Sequence, residues 1–225
     1  MRDGLIIAID GPAASGKSTL GRLLASTLNL LYIDTGSMYR AIALAAIRAG
    51  LDPSDTLAIV SLAENVDLDL TGNPNDLRVL LNGTDVTDKI RTDAVTDMSS
   101  IVSTIPGVRR AMVARQRELG RRGAVLNGRD IGTVVFPNAN VKFFLTASAD
   151  ERAQRRFKEE QTHDRAASLT EIHSEIAERD RRDSTRMDSP LKIADDAIVV
   201  DSSGLSIDEV LQKMLANIRD KGMFA

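Results

Sequence analysis

Gly11-Pro12-Ala13-Ala14-Ser15-Gly16-Lys17-Ser18 has the form G-x-x-x-x-G-K-[ST], and the apolar run before it, Leu5-Ile6-Ile7-Ala8-Ile9, reads as a buried strand. Thr19 leads into a helix that places Leu20, Leu23, Leu24 and Leu28 on one face. Strand, glycine-bearing loop and helix together make a phosphate cradle. The glycines let backbone N–H groups wrap round anionic oxygens, Lys17 supplies a mobile cation for the outer phosphates, and Ser18 offers a hydroxyl to Mg²⁺ in company with waters. A glycine-rich turn that merely contained a lysine would need neither flanking element. Gly11, Pro12, Ala13, Ala14, Ser15, Gly16, Lys17, Ser18 and Thr19 are therefore the candidate nucleotide-binding residues.

Outward from the loop, Leu31-Tyr32-Ile33 predicts a second strand, ending in Asp34-Thr35-Gly36 before a helix from Ser37 to about Gly50. Another helix is expected from Asp52-Pro53-Ser54. The spacing then changes to period two in Val66-Asp67-Leu68-Asp69-Leu70 and again from Leu77 to Val86, with Asn82-Gly83 at a tight turn, which predicts a short antiparallel meander. Pro106-Gly107 opens a helix carrying Val108, Met112 and Leu119. Ala124–Asn127, Val141–Leu145 and Ala197–Val200 are three more apolar strands. Capping boxes at Ser168-Leu169-Thr170-Glu171 and Ser206-Ile207-Asp208-Glu209 start two late helices.

Strands apolar throughout, separated by helices, imply a parallel sheet covered on both faces. Ligands bind beyond the carboxyl ends of such strands, so Asp10-Gly11, Asp34-Thr35-Gly36 and Gly128-Arg129-Asp130 should converge round the loop.

The chain has 225 residues, 43% of them hydrophobic, enough for one substantial core with an inserted lobe. A formal charge of −3 argues against whole-surface attraction to nucleic acid or anionic membrane, so any basic site must be local. With no cysteine, disulfides, thiolate catalysis and Cys-ligated zinc are excluded. The five apolar residues after Met1-Arg2-Asp3-Gly4 are too few for a signal peptide or a membrane span, and the expected location is the cytoplasm. His163 and His173 are the two histidines, and neither suggests a metal cluster or a catalytic dyad. An aromatic content of 3% without tryptophan removes most platforms for stacking single strands, which disfavours a nucleic-acid partner.

Of the 29 basic residues 22 are arginine, and 15 of those fall between Arg109 and Arg186. Arginine grips phosphate with a planar fork, whereas lysine is a point charge. Arg129 stands between Gly128 and Asp130 just after an apolar strand, where a merely solvated charge has little reason to be. Arg179, Asp183 and Arg186 share one helix face, which suits intrahelical ion pairs and ligand contacts equally. From Ala149 to Ala167 the chain is polar and lacks apolar periodicity in Glu159–Asp164. It reads as a mobile flap that excludes water and delivers an arginine from Arg152, Arg155, Arg156 and Arg165.

Taken together, Ile9-Asp10-Gly11-Pro12, the stretch Tyr32–Arg40 (Tyr-Ile-Asp-Thr-Gly-Ser-Met-Tyr-Arg), the β-rich insert, Asn127–Pro137 (Asn-Gly-Arg-Asp-Ile-Gly-Thr-Val-Val-Phe-Pro), Glu178–Asp183 and Asp201-Ser202-Ser203 resemble the bacterial cytidylate kinases, within the P-loop nucleoside monophosphate kinases. The resemblance spans nearly the whole chain. It implies an α/β fold of P-loop NTPase type, with a five-stranded parallel sheet flanked by helices in one kinase domain over residues 1–225. The core would comprise about 1–62, 101–148 and 187–225, the β-rich NMP-binding insert about 63–100, and a short mobile lid about 149–170. It implies transfer of the ATP γ-phosphoryl group to CMP or dCMP with Mg²⁺, by a monomer. Arg40, Arg129 and Arg186 would hold the acceptor phosphate. Ser100, Arg109 and Asp130 would read the cytosine, with Thr35 at its amino edge, and Arg179 and Asp183 would contact the ribose. Lys17, Arg129, Arg186 and, from the lid, Arg156 would form the catalytic set. A rival acceptor is a hydroxylated metabolite, whose alcohol Asp34 would orient or deprotonate.

Overall fold

The computed structural model describes residues 4–161 and 168–223. Five strands, β1 (Ile6–Asp10), β2 (Leu31–Asp34), β6 (Ala124–Gly128), β7 (Val141–Thr146) and β8 (Ile198–Asp201), form one parallel sheet in the order β2-β6-β1-β7-β8. Each begins or ends within one residue of its expected place, because a strand buried on both faces is apolar along its whole length. Alternation along β1 splits the core: Ile6 and Ala8 join one apolar layer, Ile7 and Ile9 the other. The first layer is closed by α2 (Thr35–Arg48), α3 (Thr56–Asn65) and α5 (Pro106–Gly120). The second is closed by α1 (Lys17–Leu28) and α8 (Ile207–Asp220). Fully enclosed side chains such as Leu24, Ile42 and Met214 each stabilise the fold by roughly 1.5–3 kcal/mol.

The insert carries the antiparallel meander its spacing predicts, and a helix besides. β3 (Leu68–Asn73), β4 (Asp76–Leu81) and β5 (Thr84–Asp85) form an antiparallel sheet, and the turn at Asn82-Gly83 has φ of +49° and +72°, the left-handed pair a tight hairpin requires. After a 3₁₀ turn at Lys89–Arg91, α4 (Asp93–Val102) follows, capped by Thr92, with Val95, Met98 and Val102 buried against the first layer. The β-rich description of the lobe is incomplete by that helix.

Most of the described part of the expected lid is helical. α6 runs from Ala149 through Gln161 and α7 from Leu169 to Thr185, and the two helices pack against each other. Arg155–Glu151 and Arg156–Glu160 ion pairs at i,i+4 stand in for an apolar stripe. His163 and Arg165 lie outside the described residues. His173 sits on α7 with Nε2 3.4 Å from Asp150 on α6, a surface link between the two helices. No helix among the described residues is long and apolar enough to cross a membrane.

Candidate active site

Sheet register sets the site. Asp34 pairs with Asn127 and Asp10 with Gly128, so the carboxyl ends of β2, β6 and β1 finish on neighbouring rungs and feed their polar loops into one cleft of about 2030 Å³. Among the expected residues, Ala13 to Thr19, Thr35, Arg40, Ser100, Arg109, Arg129, Asp130, Arg156, Arg179, Asp183 and Arg186 all line it. Gly11 and Pro12 do not. A Cβ at Gly11 would stand 2.0 Å from the carbonyl oxygen of Leu145 on β7, which is why only glycine fits there.

On the donor side, Gly16 in the left-handed region (φ +89°) turns the loop into α1. Lys17 folds back over it, its Nζ donating to the Pro12 carbonyl at 2.5 Å and to Ser15 Oγ at 3.1 Å. Burial pushes Lys17 well below its ordinary value, and the Arg129 and Arg179 guanidinium groups push it further. The Ala13 N–H points away from the cleft to Asp180, so this amide is not one of those open to phosphate.

The acceptor side is assembled from five elements. Arg40 of α2 donates to Thr96 Oγ1 at 2.6 Å and to the Ile90 carbonyl at 3.2 Å. Arg129 Nε meets Asp183 of α7 at 2.7 Å. Arg109 of α5, 2% exposed, gives NH2 to Asp130 Oδ2 at 2.5 Å and NH1 to the Ser103 carbonyl at 3.1 Å, and lies 5.5 Å from the Tyr39 ring centre. Arg186 joins the two halves of this side, with NH1 3.5 Å from Asp183 and NH2 3.8 Å from Asp130. Arg109 Nε and Arg186 NH2 are buried and have no hydrogen-bond partner among the described residues. Both are donors available to a ligand.

Electrostatics points the same way. Burial and the Arg129 guanidinium push Arg179 down to about 10, and Arg40 and Arg186 are lowered by burial and by neighbouring arginines. Burial opposes charge on Asp183, yet Arg129 and Arg179 hold its carboxyl below the usual range. The bay carries more cation than its carboxylates balance.

Thr35 Oγ1 donates its hydrogen to the Asn127 carbonyl at 2.8 Å, leaving only lone pairs for a ligand. Asp34 is the N-cap of α2, its Oδ1 accepting from Gly36 N–H at 3.1 Å and from Asn127 Nδ2 at 3.3 Å. Ser100 lies on α4 beside Ser103 and opens to the cleft. Arg156 is held on its own helix by Glu159 and Glu160, across from Arg40 and Arg179. The lid arginine beside the loop is Arg155, whose NH1 comes within 3.9 Å of a Cβ built on Gly16 and bonds Ser202 Oγ at 2.9 Å.

Asn127 is a functional residue the spacing missed, although it stands in the quoted Asn127–Pro137 stretch. Its Nδ2 donates to Ser18 Oγ at 3.2 Å, and its Oδ1 is buried without a partner among the described residues. The hydroxyl of Ser18 and the carboxylate of Asp34, which share Asn127 Nδ2 as a donor, are hard oxygens of a kind that fits Mg²⁺. No group of three or more His, Cys, Asp or Glu side chains among the described residues could hold a metal ion.

A P-loop cradle facing a bay of guanidinium groups across one sheet rim defines a P-loop kinase of an anionic acceptor. Two solved structures share the fold at low identity. A protein from Eubacterium ventriosum has a TM-score of 0.53 at 11% identity over 96% of this chain and 98% of its own. A gluconokinase from Sinorhizobium meliloti has 0.50 at 13% over 98% and 94%. The sequence profile described as Cytidylate kinase matches residues 7–220, and the chain belongs to the cytidylate kinase family. It is 47% identical to the cytidylate kinase of Geobacter sulfurreducens over 98% of this chain and 95% of that one. Against that of Desulforamulus reducens it is 50% identical over 96% and 97%.

Proposed function

We propose that the cleft works as two facing anion sites: the Gly11–Thr19 loop holds ATP, and the arginine bay holds CMP or dCMP, for the transfer that gives ADP and CDP or dCDP. The observation that carries this reading is the surplus of buried cation between the two, where burial and neighbouring guanidinium groups lower Lys17, Arg179 and Arg186 in the absence of anions.

Arg40, Arg129 and Arg186 hold the acceptor phosphate, whose second pKa of about 6 leaves it ionised, so no general base is needed. That suits a site in which Asp34 serves as the N-cap of α2. Arg179 and Asp183 contact the ribose. Arg109, Asp130 and Ser100 read the base: a carboxylate accepts from the cytosine N4 amino group while Arg109 donates to its acceptors. Thr35, with its hydrogen committed to Asn127, accepts from an amino group and has nothing to give a uracil carbonyl.

Lys17 releases its loop contacts to reach the outer phosphates, and Ser18 and Asp34 would hold Mg²⁺ and its waters, with Asn127 Nδ2 positioning both. Bound Mg²⁺ neutralises charge on the transferring group. Arg156 is the lid's contribution to the catalytic set once its glutamate partners give way. The lid excludes water, which would otherwise hydrolyse ATP. The reading places the chain in the cytoplasm, as a monomer. Incubation of the purified protein with Mg–ATP and CMP, dCMP, UMP, AMP or hydroxy acids should release ADP fastest with CMP or dCMP. A hydroxy acid outrunning both would reject it.

A further inference from the structure

We propose that Asp180 is a positioning residue that bolts the lid helices to the apex of the P-loop, fixing α7 in register with bound ATP. Asp180 Oδ1 accepts the Ala13 N–H at 3.0 Å, while Oδ2 meets Arg152 NH1 of α6 at 2.5 Å. Arg152 NH1 also donates to the Ala13 carbonyl at 3.1 Å, and its Nε donates to the Ala147 carbonyl at 3.2 Å. Both polar groups of one loop residue are thus held by an ion pair formed between the two lid helices. Around the pair, Ala13 packs with Ala153, Ile172 and Ile176 in an apolar cluster separate from the main core.

Asp180 follows Arg179 directly and precedes Asp183 by one turn. A single helix therefore carries the proposed ribose contacts and, on the adjoining part of the same face, the grip on the donor loop. Tilting α7 moves both together. Near-attack geometry is sensitive to about an ångström, so loosening this bolt should cost turnover well before it costs acceptor binding. The inference rests on the two-site reading above for its acceptor half only, because the grip on the loop stands without it.

Calorimetric titration with Mg–AMP-PNP tests that grip. Asp180→Ala should weaken binding on the order of tenfold, and Asp180→Asn, which keeps an acceptor for the Ala13 N–H, should fall between it and the wild type. Steady-state assays with CMP should show kcat down on the order of ten- to a hundredfold in Asp180→Ala, with CMP affinity measured without nucleotide within about twofold of the wild type. Arg152→Met added to Asp180→Ala should cost little more, since both act through one contact. Unchanged AMP-PNP affinity in a folded Asp180→Ala variant, or a kcat loss matched by equal loss of CMP affinity, overturns the proposal. A wild type that binds AMP-PNP but ignores CMP would instead indict the acceptor reading.

Discussion

The donor and acceptor halves of the cleft face each other yet are built on opposite plans. The donor half is contiguous in sequence and made mostly of backbone: a strand, six loop residues, and a helix whose N-terminal dipole favours anions. The acceptor half draws one or two side chains from each of α2, α4, α5, the loop after β6, and α7, held apart and in place by buried ion pairs. Backbone amides are neutral and cost little to leave waiting. Buried guanidinium groups need partners at all times, and here Asp130 and Asp183 stand in until the substrate arrives. The acceptor half should accordingly be the one whose mutation unfolds the protein, and the donor half the one whose mutation only stops it.

Asp130→Ala is the sharpest way to break that contrast. It strands Arg109, which is 2% exposed, and should cost about 3–5 kcal/mol of stability in denaturant unfolding. A loss under about 1 kcal/mol would show that the pair is not structural. Lys17→Met should leave the melting temperature near that of the wild type while cutting turnover at least about a hundredfold, since one preorganised charge contact is worth roughly 3 kcal/mol. Near-normal turnover would remove Lys17 from the catalytic set.

Asp10 sits on the boundary between the halves. It ends β1 just before the P-loop, and its carboxylate accepts from Ile131 N–H at 2.8 Å and Gly132 N–H at 2.7 Å, splinting the π-helical turn Ile131–Val135 that follows Asp130. Burial pushes its pKa up to about 6, against the two amide bonds that lower it. Between about pH 4 and pH 6 the unfolded chain has already lost this proton while the folded chain keeps it. Rising pH therefore favours unfolding through this group: its contribution is complete below 3.8 and gone above about 6, a change of about 3 kcal/mol. Unfolding curves of wild type and Asp10→Asn from pH 4 to pH 7 should diverge in that sense, the wild type losing ground as pH rises. Parallel curves would mean that Asp10 titrates alike in both states.

The same contrast decides what could be read from the chain. A loop motif flanked by apolar segments is a local signal, and so are strands buried on both faces, which is why the sheet and the nucleotide cradle were legible. α4 did carry a signal, since its buried Val95, Met98 and Val102 fall at i, i+3 and i+7, but the period-two meander beside it dominates the reading of the lobe. α6 was hidden because its regularity lies in charge pairs and not in apolar ones. The acceptor residues Arg109, Asp130 and Arg186 came from family resemblance, and the structure brings them together. Asn127, Thr96, Tyr39 and Asp180 had no signal of their own. Asn127 meets Ser18 from 109 residues away and Asp180 meets Ala13 from 167, separations at which no periodicity survives.

The smallest expected effect tests the finest step of the acceptor reading. Thr35 lines the cleft with its hydrogen on the Asn127 carbonyl, and Gly128 leaves it room: a Cβ there would come within 2.8 Å of Oγ1. Thr35→Val keeps the shape but removes both the donor to Asn127 and the lone pairs facing the ligand. Thr35→Ser keeps the hydroxyl and drops only a methyl. If Thr35 selects an amino group over a carbonyl, the valine variant should lose about 1 kcal/mol of discrimination, roughly fivefold in the ratio of kcat/KM for CMP and UMP, while the serine variant stays close to the wild type. Equal ratios in all three proteins would leave base selection wholly to Arg109 and Asp130, returning specificity to the buried ion pair and making the acceptor half even less like the donor half.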